Sequence, residues 1–167
     1  EFGHNVEQTL SLYDIDYFML NGVPNTAFTE ALAFVFQMRD LKLLDMESND
    51  EKRYDLYVLD NFWSTYEIMG ASLVDQKTWK WLYENPEATK EELNNAVNNI
   101  AKQVWNKYYF PVLGNENSNI LGVYSHMISY PLYLSAYPIG HLIEFQIEQR
   151  IKGKNLGTEF ERMAKIG

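Results

Sequence analysis

Phe28, Ala31, Leu32, Val35 and Met38 recur at i, i+3, i+4, i+7 and i+10 within the stretch Thr26 to Leu44. At 3.6 residues per turn they share one face, so the stretch is read as one amphipathic helix packed on a core. Glu1 to about Leu12 contains no Pro, and Phe2, Val6, Thr9 and Leu10 fall near helical spacing. Tyr54 to Met69 is an aromatic-rich helical segment expected to end at Gly70, and a shorter helix with Trp79 and Trp81 is expected to break at Asn85-Pro86. Thr89-Lys90-Glu91-Glu92 has the Thr-x-x-Glu form of a capping box, and Leu93, Ala96, Val97, Ile100, Val104 and Tyr108 supply the stripe that follows, ended by Phe110-Pro111. Helical stretches are also expected from about Gly140 to Lys152, stopping at Gly153, and from Gly157 to Lys165. Asn21-Gly22-Val23-Pro24-Asn25 reads as a turn and Asp45 to Lys52 as a polar surface loop. No alternating strand pattern and no internal repeat competes, so the fold class is all-α: a helical bundle occupying 1–167 as a single domain.

Composition narrows the partners. The 23 acidic against 14 basic residues give a net charge of −9, and no basic stretch offers purchase on a phosphate backbone, so nucleic acid is not an expected partner. There is no Cys, which removes disulfides and thiolate metal sites but fits cytoplasm and periplasm equally, leaving the compartment open. Asn117 to Ile143 contains no Asp, Glu, Lys or Arg, yet it holds His126, His141, two Pro and four Tyr. So many polar tips would be costly in hydrocarbon, so the segment is expected to be buried or pocket-lining chain and not a membrane span. Trp63, Trp79, Trp81 and Trp105 read first as aromatic core, with the lining of a peptide channel as the alternative, and His141 reads as a core residue.

The chemistry lies in the first turn. In H-E-x-x-H the two His sit four residues apart on one helix face and can bind one Zn²⁺, with the Glu between them placed to take a proton from the attacking water. Glu1 and His4, in Glu1-Phe2-Gly3-His4, supply the second and fifth positions, and a His immediately before Glu1 would complete the motif. A catalytic site of this class also needs a carboxylate from a second helix. Glu30, set between Thr29 and Ala31 on the apolar helix, is the candidate, because a carboxylate among such neighbours needs a cation to offset its burial.

EFGH at 1–4 followed by NTAFTEALAF at 25–34 resembles the active-site region of the M3 family of zinc oligopeptidases, the thimet oligopeptidase and oligoendopeptidase F group. YSHMISYPLYLSAYPIGHLIEF at 124–145 is similar to the His-and-Tyr segment that this family folds over its zinc. The resemblance implies zinc as cofactor, His4 and Glu30 as metal ligands, Glu1 as general base and a peptide as substrate. It implies that His126 and Tyr137, with Tyr130 or Tyr133, donate hydrogen bonds to the substrate and the oxyanion. It further implies that the chain is part of a larger, mainly helical, zincin-like catalytic domain entered within HExxH. With only two of three ligands, the 167-residue chain is expected to be inactive or nearly so. Two rival expectations share these residues: a non-catalytic helical binding or structural module, and a metallohydrolase acting on a non-peptide bond.

Overall fold

A computed structural model describes residues 1–15, 25–46 and 52–166, and among them there are helices and turns but no strand. The fold is all-α. In chain order the helices are α1 (Phe2–Tyr13), α2 (Thr26–Gln37), α3 (Asp40–Leu43), α4 (Arg53–Glu84), α5 (Lys90–Tyr108), α6 (Phe110–Leu113), α7 (His126–Ser129), α8 (Ala136–Ile151) and α9 (Leu156–Ala164). Positions 21–24 of the predicted turn and 47–51 of the predicted loop lie outside the described residues. The chain's contacts gather into two compact units, one of residues 1–65 with 136–167 and one of residues 66–135, so the division falls within α4 and again just before α8.

The first unit is built on the stripe read from the sequence. Ala31, Leu32 and Val35 of α2 are completely buried and meet Ile147 and Ile151 of α8 and Phe160, Met163 and Ala164 of α9, with Val6 and Leu10 of α1 packed against them. A fully buried side chain of the Leu or Val kind contributes on the order of 1.5 to 3 kcal/mol, which makes this cluster a substantial source of the unit's cohesion. Local chemistry fixes the helix starts: the Asn25 side chain accepts from the Phe28 N–H, and the Asn155 side chain accepts from the Thr158 N–H. Pro138 lies in the first turn of α8, where its missing N–H costs no helical bond, so α8 begins four residues before the expected Gly140. Gly153 closes it at φ +78°.

The helix expected from Thr26 to Leu44 is interrupted. Arg39 leaves helical geometry (φ −111°, ψ 7°), and its guanidinium donates to both carboxylate oxygens of Glu148 on α8, at 2.6 and 3.0 Å. Beyond this point Leu41, Leu43 and Leu44 are exposed to solvent among the described residues.

In the second unit the observed helix corrects the expected break at Gly70. Helix α4 runs through this residue without interruption, because Gly70 provides room for a ring. A Cβ there would fall on Tyr109, whose hydroxyl donates to the carbonyls of Tyr66 (2.6 Å) and Glu67 (3.1 Å). Tertiary packing thus outweighs the roughly 1 kcal/mol helix cost of Gly. The same ring shifts the stripe of α5: Trp105 and Tyr109 stack at 5.3 Å and are buried, while the expected Tyr108 is exposed. The capping box forms as read, with Glu92 N–H donating to the Thr89 hydroxyl oxygen and Thr89 N–H donating to the Glu92 carboxylate.

The charge-free segment is only partly buried. Leu121, Met127, Leu134 and Ala136 face inward, whereas Ile120, Val123, Ile128 and Tyr130 are exposed. Its short turns each bury about one side chain in turn, and freedom from charge does not decide which. Among the described residues no helix is long and apolar enough to cross a membrane.

Candidate functional site

Two close helix approaches position Glu30. A Cβ on Gly3 of α1 would lie 2.8 Å from the Ala33 Cα of α2, and a Cβ on Gly140 of α8 would lie 2.9 Å from the Glu30 Cβ and 3.1 Å from the Ala27 carbonyl oxygen. Only Gly allows backbones this near each other, and the result is a Glu30 that is 4% exposed. His4, half-buried on the adjoining face of α1, places its Nε2 3.6 Å from the Glu30 Oε2. That is longer than a hydrogen bond. It matches the separation of two donors on one tetrahedral zinc, since ligands ~2.0 to 2.2 Å from the metal lie ~3.3 to 3.6 Å from each other.

Tyr137, in the first turn of α8, belongs to the same group. Burial pushes its phenol above the ordinary value, and the negative charges of Glu30 and Glu1 push it the same way. It therefore stays protonated, and a donor, through neutral pH. Glu1 caps the start of α1 with no side-chain bond to the helix and is exposed. One turn beyond His4, Glu7 is buried, and the Ser11 hydroxyl donates to its Oε1 at 3.0 Å. Burial raises the Glu7 carboxyl, partly offset by Ser11 and His4.

Among the described residues no three His, Cys, Asp or Glu side chains come together in a way that could hold a metal. His4 and Glu30 fit two positions of a zinc site, and the described residues supply no third.

His126, Tyr130 and Tyr133 lie in the second unit and form their own ring cluster. His126 is 6.2 Å from Tyr130 and 6.3 Å from Tyr133, centroid to centroid, and the two Tyr are 6.0 Å apart. Two residues of α4 hold the chain that bears them. The indole N–H of Trp79 donates to the Met127 carbonyl at 2.9 Å, and Asp75, wholly buried, accepts from the N–H groups of Leu132 (3.4 Å) and Leu134. Leu132 itself sits at φ +64°, a conformation that costs a residue with a Cβ roughly 1 kcal/mol or more, so the turn depends on such outside support.

Sequence reading missed Asp75, and it missed a second buried carboxylate, Glu144 of α8. Glu144 is 1% exposed; it accepts from the Tyr57 hydroxyl at 2.8 Å and, on its other oxygen, from the Asn61 amide. Burial raises its carboxyl to about 7, aided by the nearby Glu148 charge and resisted by Tyr57, Arg39 and Asn61. The signal was the one that singled out Glu30, a carboxylate set among apolar residues, here Ile143 and Phe145. His141, partly buried, stacks flat on Phe34 at 3.9 Å, and burial lowers its imidazole below the usual range. Trp105 is in the core, while Trp63 is 46% exposed.

No family model matches this chain, and no curated protein or solved structure matches it either.

Proposed function

We propose that the first unit carries the metal-binding helices of a zinc-dependent peptidase acting on oligopeptides. The observation that carries this reading is the 3.6 Å approach of His4 to a buried Glu30 on a separate helix, with the Tyr137 phenol within the electrostatic reach of both Glu30 and Glu1. A His immediately before Glu1 would lie four residues from His4 on the same face of α1 and would be the third donor. When bound, zinc would polarise the scissile carbonyl and acidify the attacking water. Glu1 takes the proton of that water and passes it to the leaving amine. Tyr137, kept protonated by burial and its carboxylate neighbours, donates its O–H to the developing oxyanion, a contribution commonly worth ~3 to 4 kcal/mol. The assignment of His126, Tyr130 and Tyr133 to substrate hydrogen bonding rests on the family resemblance alone.

The rival reading is a non-catalytic helical module, and the two-donor set favours it. Zinc content decides between them. A chain extended by one His before Glu1, dialysed after exposure to zinc, is expected to retain about one zinc ion and to cleave a quenched fluorescent peptide. His4→Ala and Glu30→Ala in that chain should each weaken zinc retention by at least tenfold. The 167-residue chain should bind zinc weakly and hydrolyse nothing measurable. A folded, extended chain that takes up no zinc from a metal-replete solution overturns the peptidase reading in favour of the module.

A further inference from the structure

Asp75, in the second unit, is a buried carboxylate that its surroundings satisfy on one side only. Its Oδ1 accepts from the Leu132 N–H at 3.4 Å, and the Leu134 N–H also bonds to the carboxylate, but among the described residues its Oδ2 has no hydrogen-bond partner. Other buried carboxylates of the chain are better provided for: Glu144 accepts on both oxygens, and Glu7 accepts from Ser11. Asp75 is wholly buried, and among the described residues no Lys, Arg or His charge acts on it. A carboxylate so placed either keeps its proton or takes up a cation from solution.

Thr78 decides between the two. It lies about one turn along α4 from Asp75, on the same face, is 4% exposed, and its Oγ1 likewise has no hydrogen-bond partner. A hydroxyl on a helix has an acceptor within reach in the carbonyl four residues back, and Ser11, Thr65 and Ser129 of this chain all donate to it. Thr78 does not, so its oxygen is left to serve something other than its own helix. Nor are the Asp75 and Thr78 oxygens bonded to each other. A proton on Oδ2 would therefore leave the Thr78 oxygen as bare as before, whereas a cation held by both oxygens satisfies both.

The charge available identifies the class of ion. Among the described residues no second Asp or Glu, and no His or Cys, joins Asp75 in a group able to hold a metal, so a divalent ion would be left with uncompensated charge. One carboxylate balances one positive charge, and neutral oxygens such as a hydroxyl suit a hard cation. We propose that Asp75 Oδ2 and Thr78 Oγ1 hold a monovalent alkali cation, Na⁺ or K⁺, independently of the peptidase reading. The bound ion fixes the carboxylate that accepts from the Leu132 and Leu134 N–H groups, and so braces the turn in which Leu132 stands at φ +64°.

The test is hydrogen exchange of the 167-residue chain at neutral pH in NaCl, in KCl and in choline chloride at equal ionic strength, choline being too large for a site between two side chains of one helical turn. The Leu132 and Leu134 amides are expected to exchange at least threefold more slowly in NaCl or KCl than in choline chloride, and thermal unfolding should shift upward with them. The more protective salt identifies the ion, and equal protection identifies an unselective site; each supports the proposal. Asp75→Asn keeps an oxygen for the two N–H groups and loses the charge, so it should fold and exchange alike in all three salts. Thr78→Val, which keeps the shape without the hydroxyl, should at least halve the difference between salts, and Glu87→Gln, at an exposed carboxylate of the same unit, should leave it unchanged. Identical exchange of the natural chain in the three salts means that Asp75 holds a proton or water instead, and overturns the proposal. A salt difference that persists undiminished in Asp75→Asn or in Thr78→Val overturns it as well.

Discussion

Replacing Glu144 with Gln should make the protein more stable above neutral pH and remove a specific part of its pH dependence. The Glu144 carboxyl is buried against Tyr57 and Asn61 and titrates at about 7 in the folded chain, against an ordinary value of 4.5. Its folded pKa is therefore raised, and the folded state holds this proton more tightly than the unfolded state does. Stability should then be greatest below pH 4.5 as far as this group is concerned, and should fall as pH rises from about 4.5 to about 7. At ~1.4 kcal/mol per unit the loss is about 3 kcal/mol once both states are ionised. Gln retains an oxygen to accept from the Tyr57 hydroxyl, and the Asn61 amide can turn its own oxygen toward the new amide nitrogen, so the cluster stays bonded without a charge. Urea unfolding of both chains from pH 5 to pH 8 isolates the effect, because titrating groups that do not interact with Glu144 cancel in the difference. The natural chain is expected to lose on the order of 3 kcal/mol relative to E144Q across the rise, and the Glu144 carboxyl carbon should titrate near pH 7 by NMR. A carboxyl carbon that titrates near 4.5, or two chains with parallel pH profiles, would refute the argument.

Three further perturbations probe the packing around the candidate sites. Gly140→Ala inserts a methyl 2.9 Å from the Glu30 Cβ and 3.1 Å from the Ala27 carbonyl, and should destabilise the first unit by about 1 to 3 kcal/mol on thermal unfolding. Tyr109→Phe removes the hydroxyl that donates to the Tyr66 and Glu67 carbonyls; a loss of about 1 kcal/mol is expected by urea unfolding, and none would mean those bonds contribute nothing net. Asp75→Ala strips the acceptor from the Leu132 and Leu134 N–H groups, so hydrogen exchange at those two amides should quicken while the amides of α4 keep their protection. Equal protection in both chains would show that Asp75 does not hold the turn.

The amino-acid sequence by itself determined which stretches are helical and, at several points, where they start and stop. Asn25, Thr89 with Glu92, and Gly153 act on backbone groups within a few residues of themselves, and a buried stripe such as Ala31, Leu32 and Val35 is a property of local spacing. Such interactions are readable in one dimension because both partners lie within one or two helical turns. The site was legible as a set of types: an imidazole at 4 and a carboxylate at 30. Their 3.6 Å approach was not, because it depends on Gly3 and Gly140 allowing α1 and α8 to close on α2. Gly70 was misread as a helix end for the same reason: its use is set by Tyr109, 39 residues away, whose ring needs the space a side chain would fill. Burial of Asp75 and Glu144 likewise arises between segments far apart in sequence. Desolvation and electrostatic potential depend on everything within several ångströms, and only the tertiary structure decides what that includes.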